Sequence, residues 1–295
     1  MARAAAVPPT PRPRSRKAAA PGATAGTAKK RPQANPENSL KRMLELLDLF
    51  TPAAPVWSAE ALMRYTGASR STVYRHVRAL HEAGLLRPVA SGNYIIGPRV
   101  IELDRQVRQT DPLYMAGEAP MKRLVSATGH SALLCALFSD SVMCVREELA
   151  ADRPPNLFAR GQRRPLFTGA ASKIILPYLP AHQLRSLYAK HKKAVAVAGL
   201  GSDWSQFRAT LTQIRRQGHL VTIGEFNPGL LGLSAPVFNH AGHILGSIGI
   251  SGVAAAFRKV DMEALVGLVT TAAAEVTARI GAMDSALDLA PRAIG

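Results

Sequence analysis

The chain has 295 residues, enough for one or two folded units at roughly 100–200 residues per domain, and its 47% hydrophobic content suits an ordinary globular core. Its 37 Lys and Arg outnumber 20 Asp and Glu, a net charge of +17 that points to anionic partners: nucleic acid, acidic lipid or an acidic ligand. Two cysteines, Cys135 and Cys144, exclude a disulfide scaffold and form no CxxC pair, so they read as two separate, buried small hydrophobes. No apolar stretch free of charge reaches the ~18 residues of a membrane span, the longest run being 244–257, so a cytoplasmic protein without a membrane partner is expected.

Residues 1–36 hold eight basic residues and no acid, are rich in Pro and Ala, and have no large apolar residue beyond Met1 and Val7. Such a segment cannot bury enough surface to offset its ordering entropy, so a disordered basic tail is expected. It is either an arm that adds nonspecific phosphate attraction or a solubilising tail, and its prolines and lack of amphipathic periodicity argue against a transit peptide.

Order is expected from Asn38. Leu40, Met43, Leu44, Leu47 and Phe50 form one apolar helix face, which Thr51-Pro52 stops. A second helix opens on Ser58 as N-cap, with Glu60 behind it, and ends at Thr66-Gly67. A third starts at Ser69, carries Val73, Val77 and Leu80 on one stripe, and stops at Gly84. Leu85-Leu86-Arg87 and Tyr94-Ile95-Ile96-Gly97 flank a Ser91-Gly92-Asn93 turn and read as a hairpin. Helix, helix, short turn, helix and hairpin make a winged helix-turn-helix over 37–100. Opposite its apolar stripe, the third helix presents Ser69, Arg70, Ser71, Thr72, Tyr74, Arg75 and Arg78. Arginines and short hydroxyls are the side chains that bond base edges and phosphates in a major groove, so these seven are the candidate DNA-binding residues. His76 lies beside the stripe and reads as a packing residue.

A linker helix region follows over 101–118, with a helix over 100–109 and a restart at Asp111-Pro112 that runs to Thr128, kinked at Pro120 and ended by Gly129. Strands are expected over 130–138 and 142–147, a loop and helix over 165–179, and a helix through Trp204, Phe207, Leu211 and Ile214, capped by Asp203 and closed by Gly218. Further strands fall over 219–225, 231–238 and 244–252, the last two joined by an Asn239-His240-Ala241-Gly242 hairpin, before a final helix over 259–286. Residues 119–286 thus form an α+β domain with an antiparallel-type sheet, and 287–295 a C-terminal tail. Strict alternation on the last strand puts Ile244, Gly246, Ile248 and Ile250 on one face and Leu245, Ser247, Gly249 and Ser251 on the other, a small and polar face with room for a ligand.

Catalytic and metal chemistry find little support. Gly129-His130-Ser131-Ala132-Leu133 has the outline of a nucleophile elbow but lacks the closing Gly, and Ser131 falls early in a strand. His240 and His243 flank a turn without a third ligand nearby. Gly246, Gly249 and Gly252 precede no helix, as a dinucleotide loop requires. No enzyme activity, cofactor or metal is therefore expected.

Four stretches together resemble the IclR family of bacterial transcriptional regulators: Ser39-Leu40-Lys41-Arg42-Met43-Leu44; Thr66-Gly67-Ala68-Ser69-Arg70-Ser71-Thr72-Val73-Tyr74-Arg75; Gly161-Gln162-Arg163-Arg164-Pro165-Leu166 with Ala171-Ser172-Lys173; and Ile214 to His219, Glu225, Gly229, Ser234-Ala235-Pro236-Val237-Phe238 and Ser251-Gly252. The resemblance covers about residues 38–285. It implies a repressor or activator that binds a double-stranded DNA operator, a GAF-like C-terminal domain that binds a small organic acid, and a homodimer or tetramer. It also implies effector-binding positions: the backbone amides of Ala170 and Ala171, and the sheet positions Thr222, Gly232, Gly249 and Ser251. Departures are Ser172 in place of a usual Gly, Phe167 and Gly169, and the two glycines at 232 and 249, which suggest a roomier pocket for a larger or aromatic acid. Arg160, Arg163 and Arg164 could steer an anion, with two of the three expected on the surface. The competing reading is a GAF-like sensor or enzyme without specific DNA binding.

Overall fold

The computed structural model describes residues 36–153, 158–258 and 260–289. The basic N-terminal segment up to residue 35 and residues 290–295 lie outside them. The chain divides after Gly97 into two compact units.

In the first unit, α1 (Pro36–Glu45) tightens into a 3-10 helix, Leu46–Leu49, instead of continuing as one helix to Phe50. The Trp57 indole N–H donates to the carbonyls of Leu49 (2.9 Å), an acceptor that the helix end leaves free, and of Ala54 (3.1 Å) in the turn that follows. β1 (Trp57–Ser58) leads into α2 (Ala59–Thr66), where Ser58 Oγ accepts from the Ala61 N–H at 3.1 Å and Gly67 closes the helix at φ 67°. α3 (Arg70–Glu82) is capped by Ser69, and Leu85 N–H donates to Leu80 O at 2.9 Å to close its end. β2 (Leu86–Val89) and β3 (Asn93–Ile96) form the expected hairpin, and β1 pairs with the free edge of β3, a third strand too short to leave a sequence pattern. Leu46, Leu62, Val73, Val77, Leu80 and Leu86 make the buried core.

The second unit begins with α4 (Arg99–Thr110), α5 (Pro112–Ala116) and α6 (Glu118–Thr128). Asp111 Oδ1 accepts from the Tyr114 N–H at 2.8 Å, with Pro112 at the first helical position. The break falls at Gly117, not at Pro120: Pro120 sits in the first turn of α6, where its missing N–H leaves no helical bond unmade. A Cβ at Gly117 would lie 2.5 Å from Leu134 Cδ2, so the helices fold onto the sheet at that point.

There follow β4 (Ser131–Phe138), β5 (Ser141–Glu148), β6 (Arg163–Pro165), α7 (Ala170–Lys173), α8 (Ala181–Val197), α9 (Trp204–Gln217), β7 (Leu220–Ile223), β8 (Leu230–Phe238), β9 (Ile244–Val253) and α10 (Met262–Leu289). The strands form one antiparallel sheet in the order β6-β5-β4-β9-β8-β7. α8 has no counterpart in the sequence expectations, because it buries only Leu187 and Val195 and so shows no apolar stripe. One core cluster combines α5, α6 and α10 with Leu134, Leu233 and Ile248 of the sheet. The other combines Cys135 and Cys144 with Leu166, Ile174, Phe207 and Leu211.

Three expectations need correction. Cys135 and Cys144 are buried and free as thiols but not separate: they face each other across β4 and β5, and the hydrogen bond from Cys135, with burial, pushes the Cys144 thiol upward in pKa. The alternation on β9 holds only from Gly246 onward. A register shift pairs Phe238 with Ile244, so Ile244 joins the second cluster and Leu245 the first. Finally, Met262–Met283 in α10 is long and apolar enough to cross a membrane by length and composition, although Glu263, Glu275 and Arg279 interrupt it as a charge-free run. Its stripe of Leu265, Val269, Ala272, Ala273, Val276 and Ile280 is buried in the first cluster.

Candidate functional sites

Helical periodicity sorts α3 cleanly. Val73, His76, Val77 and Leu80 are buried, whereas Ser69, Arg70, Ser71, Tyr74, Arg75 and Arg78 are exposed and Thr72 is half-buried. The exposed residues are not equally available. Ser69 Oγ accepts from the Thr72 N–H at 3.4 Å and lies 3.2 Å from Ser71 Oγ and 2.9 Å from Thr72 Oγ1, so it caps the helix. The Tyr74 hydroxyl donates to Glu60 Oε1 at 2.8 Å, tying α3 to α2 and raising the phenol's pKa through that bond. Arg78 Nε donates to Glu82 Oε1 at 2.7 Å. The Arg70 guanidinium lies 5.3 Å from the centre of the Tyr74 ring, and Arg75 makes no ion pair or side-chain hydrogen bond among the described residues. His76 is buried, as its place beside the stripe implied. Its Nε2 lies 3.2 Å from Ser39 Oγ, and burial first, then the nearby Arg75 charge, lowers its pKa.

In the second unit, all six sequence-predicted effector positions, Ala170, Ala171, Thr222, Gly232, Gly249 and Ser251, line one cavity between the start of α7 and β7–β9. Several of their polar groups are already partnered. The Ala170 N–H donates to Thr222 Oγ1 at 3.0 Å, and the neighbouring Gly169 N–H to Glu225 Oε2 at 2.9 Å. Ser251 Oγ donates to Leu231 O at 3.0 Å. Lys173, 5% exposed, donates to Glu225 Oε1 and to Ala198 O, both at 2.7 Å. This network joins the loop motif around Lys173 to the distant Glu225. Ser172, where a Gly is usual, is buried and its Oγ has no partner.

The cavity is not roomy. Its volume is about 40 Å³, on the scale of one water molecule. Gly249 adds no space, because a Cβ there would stand 2.2 Å from Leu233 O and 2.3 Å from Ser234 Oγ, so the glycine is needed for close packing of β8 on β9. Gly232 does leave room, with Ala170 Cβ at 3.7 Å as its nearest neighbour.

Of the three arginines, only Arg163 is exposed, whereas two were expected on the surface; Arg160 and Arg164 are half-buried. Arg160 donates to Val145 O at 2.7 Å and pairs with Asp104, and Arg163 lies over the Phe138 ring at 4.4 Å. Arg164 lines the cavity. Its guanidinium carbon lies 3.8 Å from the Phe158 ring centre and 3.7 Å from that of Phe226, and burial lowers its pKa to about 10. Phe226 and Ser234 also line the cavity; Phe226 left no sequence signal, and Ser234 stood only within a family motif and was not among the expected effector positions. Ser131 is buried and its Oγ accepts from the Ala150 N–H at 3.0 Å, a structural role for a serine in a superficially nucleophile-like setting.

Residues 39–90 match the IclR helix-turn-helix domain model, and residues 106–278 match the model for the C-terminal domain of bacterial transcriptional regulator IclR. The HTH-type transcriptional regulator KipR of Bacillus subtilis is 25% identical over 249 residues, which cover 84% of this chain and 98% of that protein. A putative IclR transcriptional regulator from Silicibacter sp. shares the fold with a TM-score of 0.70 at 20% identity, over 82% of this chain and 96% of the other. An IclR homologue from Microbacterium hydrocarbonoxydans, complexed with 4-hydroxybenzoate, gives a TM-score of 0.67 at 18% identity over 83% and 99%. With the two family models together accounting for both units, the chain belongs to the IclR family of transcriptional regulators, with an N-terminal helix-turn-helix DNA-binding domain and a C-terminal effector domain.

Proposed function

We propose that this regulator binds a double-stranded operator through α3 and responds to a small organic acid held in the C-terminal cavity. It acts without catalysis, in the cytoplasm, as a homodimer or tetramer, and represses or activates a catabolic operon. The observation that carries the reading is the sorting of α3: its buried stripe orients the helix, and Arg70 and Arg75 project from its exposed face with Ser71 and Thr72 beside them. Arg75 is the base reader, since a guanidinium with no internal partner can turn its fork to a guanine edge. Arg70 reaches base or phosphate near the helix start, where free N–H groups favour phosphate. Ser69, Tyr74 and Arg78 position the helix and touch the backbone of the duplex, because their polar groups are engaged within the protein.

The effector's carboxylate meets the amides of Ala170 and Ala171, with Thr222, Ser251, the open position at Gly232 and the closely packed Gly249 around it. Ligand pockets usually measure about 300 Å³ or more. A cavity of about 40 Å³ therefore opens on binding, with Thr222 releasing the Ala170 amide and the segment bearing Glu225 and Phe226 moving outward. A compact acid asks for the least movement, and an aromatic acid also requires Phe226 to leave the cavity mouth.

Fluorescence anisotropy with the protein's own upstream DNA and a random duplex tests the DNA half. Arg75→Ala is expected to weaken specific binding by about 1–3 kcal/mol while sparing random DNA. Equal affinity of wild type and variant overturns the assignment, and equal affinity for both duplexes favours a sensor without specific DNA binding. For the cavity, a small carboxylate raises the melting temperature of the wild type, and Thr222→Ala and Ser251→Ala reduce that rise.

A further inference from the structure

We infer that Arg164 is the specificity-determining residue of the C-terminal cavity, supplying the counter-charge for one carboxylate that lies against both its guanidinium and the Gly169–Ala171 loop. This rests on the effector reading above and names what that site selects: a compound with one carboxylate and an otherwise uncharged body.

A cation removed from water needs a partner, and the neighbouring arginines have one: Arg160 pairs with Asp104, and Arg146 reaches Glu118 at 3.6 Å. Arg164 has no carboxylate partner among the described residues, and its Nε is buried without a hydrogen-bond acceptor. The one acid that lines the cavity, Glu225, is engaged by Lys173 and the Gly169 amide. The cavity thus holds one uncompensated positive charge. Burial lowers the pKa of Arg164 to about 10, which still leaves it protonated at neutral pH.

The geometry directs this charge. Contact with the Phe158 ring restrains the guanidinium even when Phe226 moves outward, so it loses little freedom when it binds. Arg164 Nη1 lies 3.9 Å from the place of a Cβ on Gly169, which puts the guanidinium at the same corner of the cavity as the loop amides. One planar carboxylate in that corner can accept from both. A neutral alcohol or amide there leaves the charge unpaired, and a second carboxylate finds no second free cation in the lining.

The full-length protein is tested by thermal melting and calorimetry with propionate, succinate and 4-hydroxybenzoate, and with the corresponding amides. At least one monocarboxylate is expected to stabilise the wild type, with its amide inactive and succinate weaker. Arg164→Met and Arg164→Gln weaken binding by about tenfold or more, and Arg164→Lys, which keeps the charge without the fork, falls between. Without ligand, Arg164→Met melts higher than the wild type, because a half-buried charge whose buried Nε has no acceptor is replaced by a side chain that keeps the contacts with the rings. Binding of the acid by Arg164→Met within about threefold of wild type, or equal binding of acid and amide, overturns the inference and leaves the effector reading intact. A lower melting point of Arg164→Met without ligand makes Arg164 structural and also overturns it. If no acid stabilises the wild type, the effector reading and this inference fall together.

Discussion

Glycine has two unlike roles in the same cavity wall. At Gly249 a side chain would strike a backbone oxygen at 2.2 Å, whereas at Gly232 it would meet its nearest neighbour at an ordinary 3.7 Å. Gly249→Ala is therefore expected to destabilise the protein by about 1–3 kcal/mol, as overpacking does. Gly232→Ala is expected to stay within about 1 kcal/mol of wild type. Urea unfolding of both variants checks this, and similar losses of stability in the two would refute the distinction. From sequence, both residues read alike as departures from a polar position. Only the distance between β8 and β9 separates them, and no local pattern encodes it. Arg164 gives the same lesson, since nothing in Arg163-Arg164 tells which of the two arginines turns inward.

The recognition helix was legible because its determinants are local. A cap at Ser69, a stripe repeating every three to four residues and a glycine stop at Gly84 act within a turn or two. His76 adds a pH dependence to this element. Burial lowers its folded pKa below the ordinary value, about 6.5. As pH falls through 6.5, the unfolded chain takes up a proton before the folded one, so stability is full above that value and declines between it and the lowered folded pKa. His130 is shifted in the same direction by burial, so the useful quantity is a difference. Urea unfolding between pH 8 and 5 is expected to fall less steeply for His76→Gln than for wild type, and parallel curves would count against a buried neutral His76. α8 marks the opposite case: it buries too few side chains to carry a periodic signal, so only its tertiary surroundings define it.

At the scale of the whole chain, the net charge of +17 pointed to an anionic partner without locating the interface. Residues 1–36 carry eight basic residues and no acid, whereas 37–100 carry eight basic and five acidic. Bulk charge and the helix proposed to read bases therefore belong to different parts of the sequence. If the first segment acts as a DNA-binding arm, removing residues 1–35 makes the dependence of operator affinity on salt shallower, by about 0.9 in log–log slope for each phosphate that the arm neutralises in the full-length protein. The preference for operator over random DNA is expected to remain, because α3 is intact. An unchanged slope would reduce the segment to a solubilising role.

What the sequence by itself determined about this protein is set by interactions between residues a few positions apart. The caps at Ser58, Ser69, Asp111 and Asp203, the left-handed stops at Gly67, Gly129 and Gly218, and the alternation along β9 beyond its bulge are of this kind. With the four motifs, they were enough to indicate the family and the architecture. Tertiary structure alone decided the pairing of Cys135 with Cys144, the reach of Lys173 to Glu225, the closure of Thr222 on Ala170 and the inward turn of Arg164. Each depends on strand register and on the seating of α7 against the sheet, where a shift of one residue exchanges one face for the other.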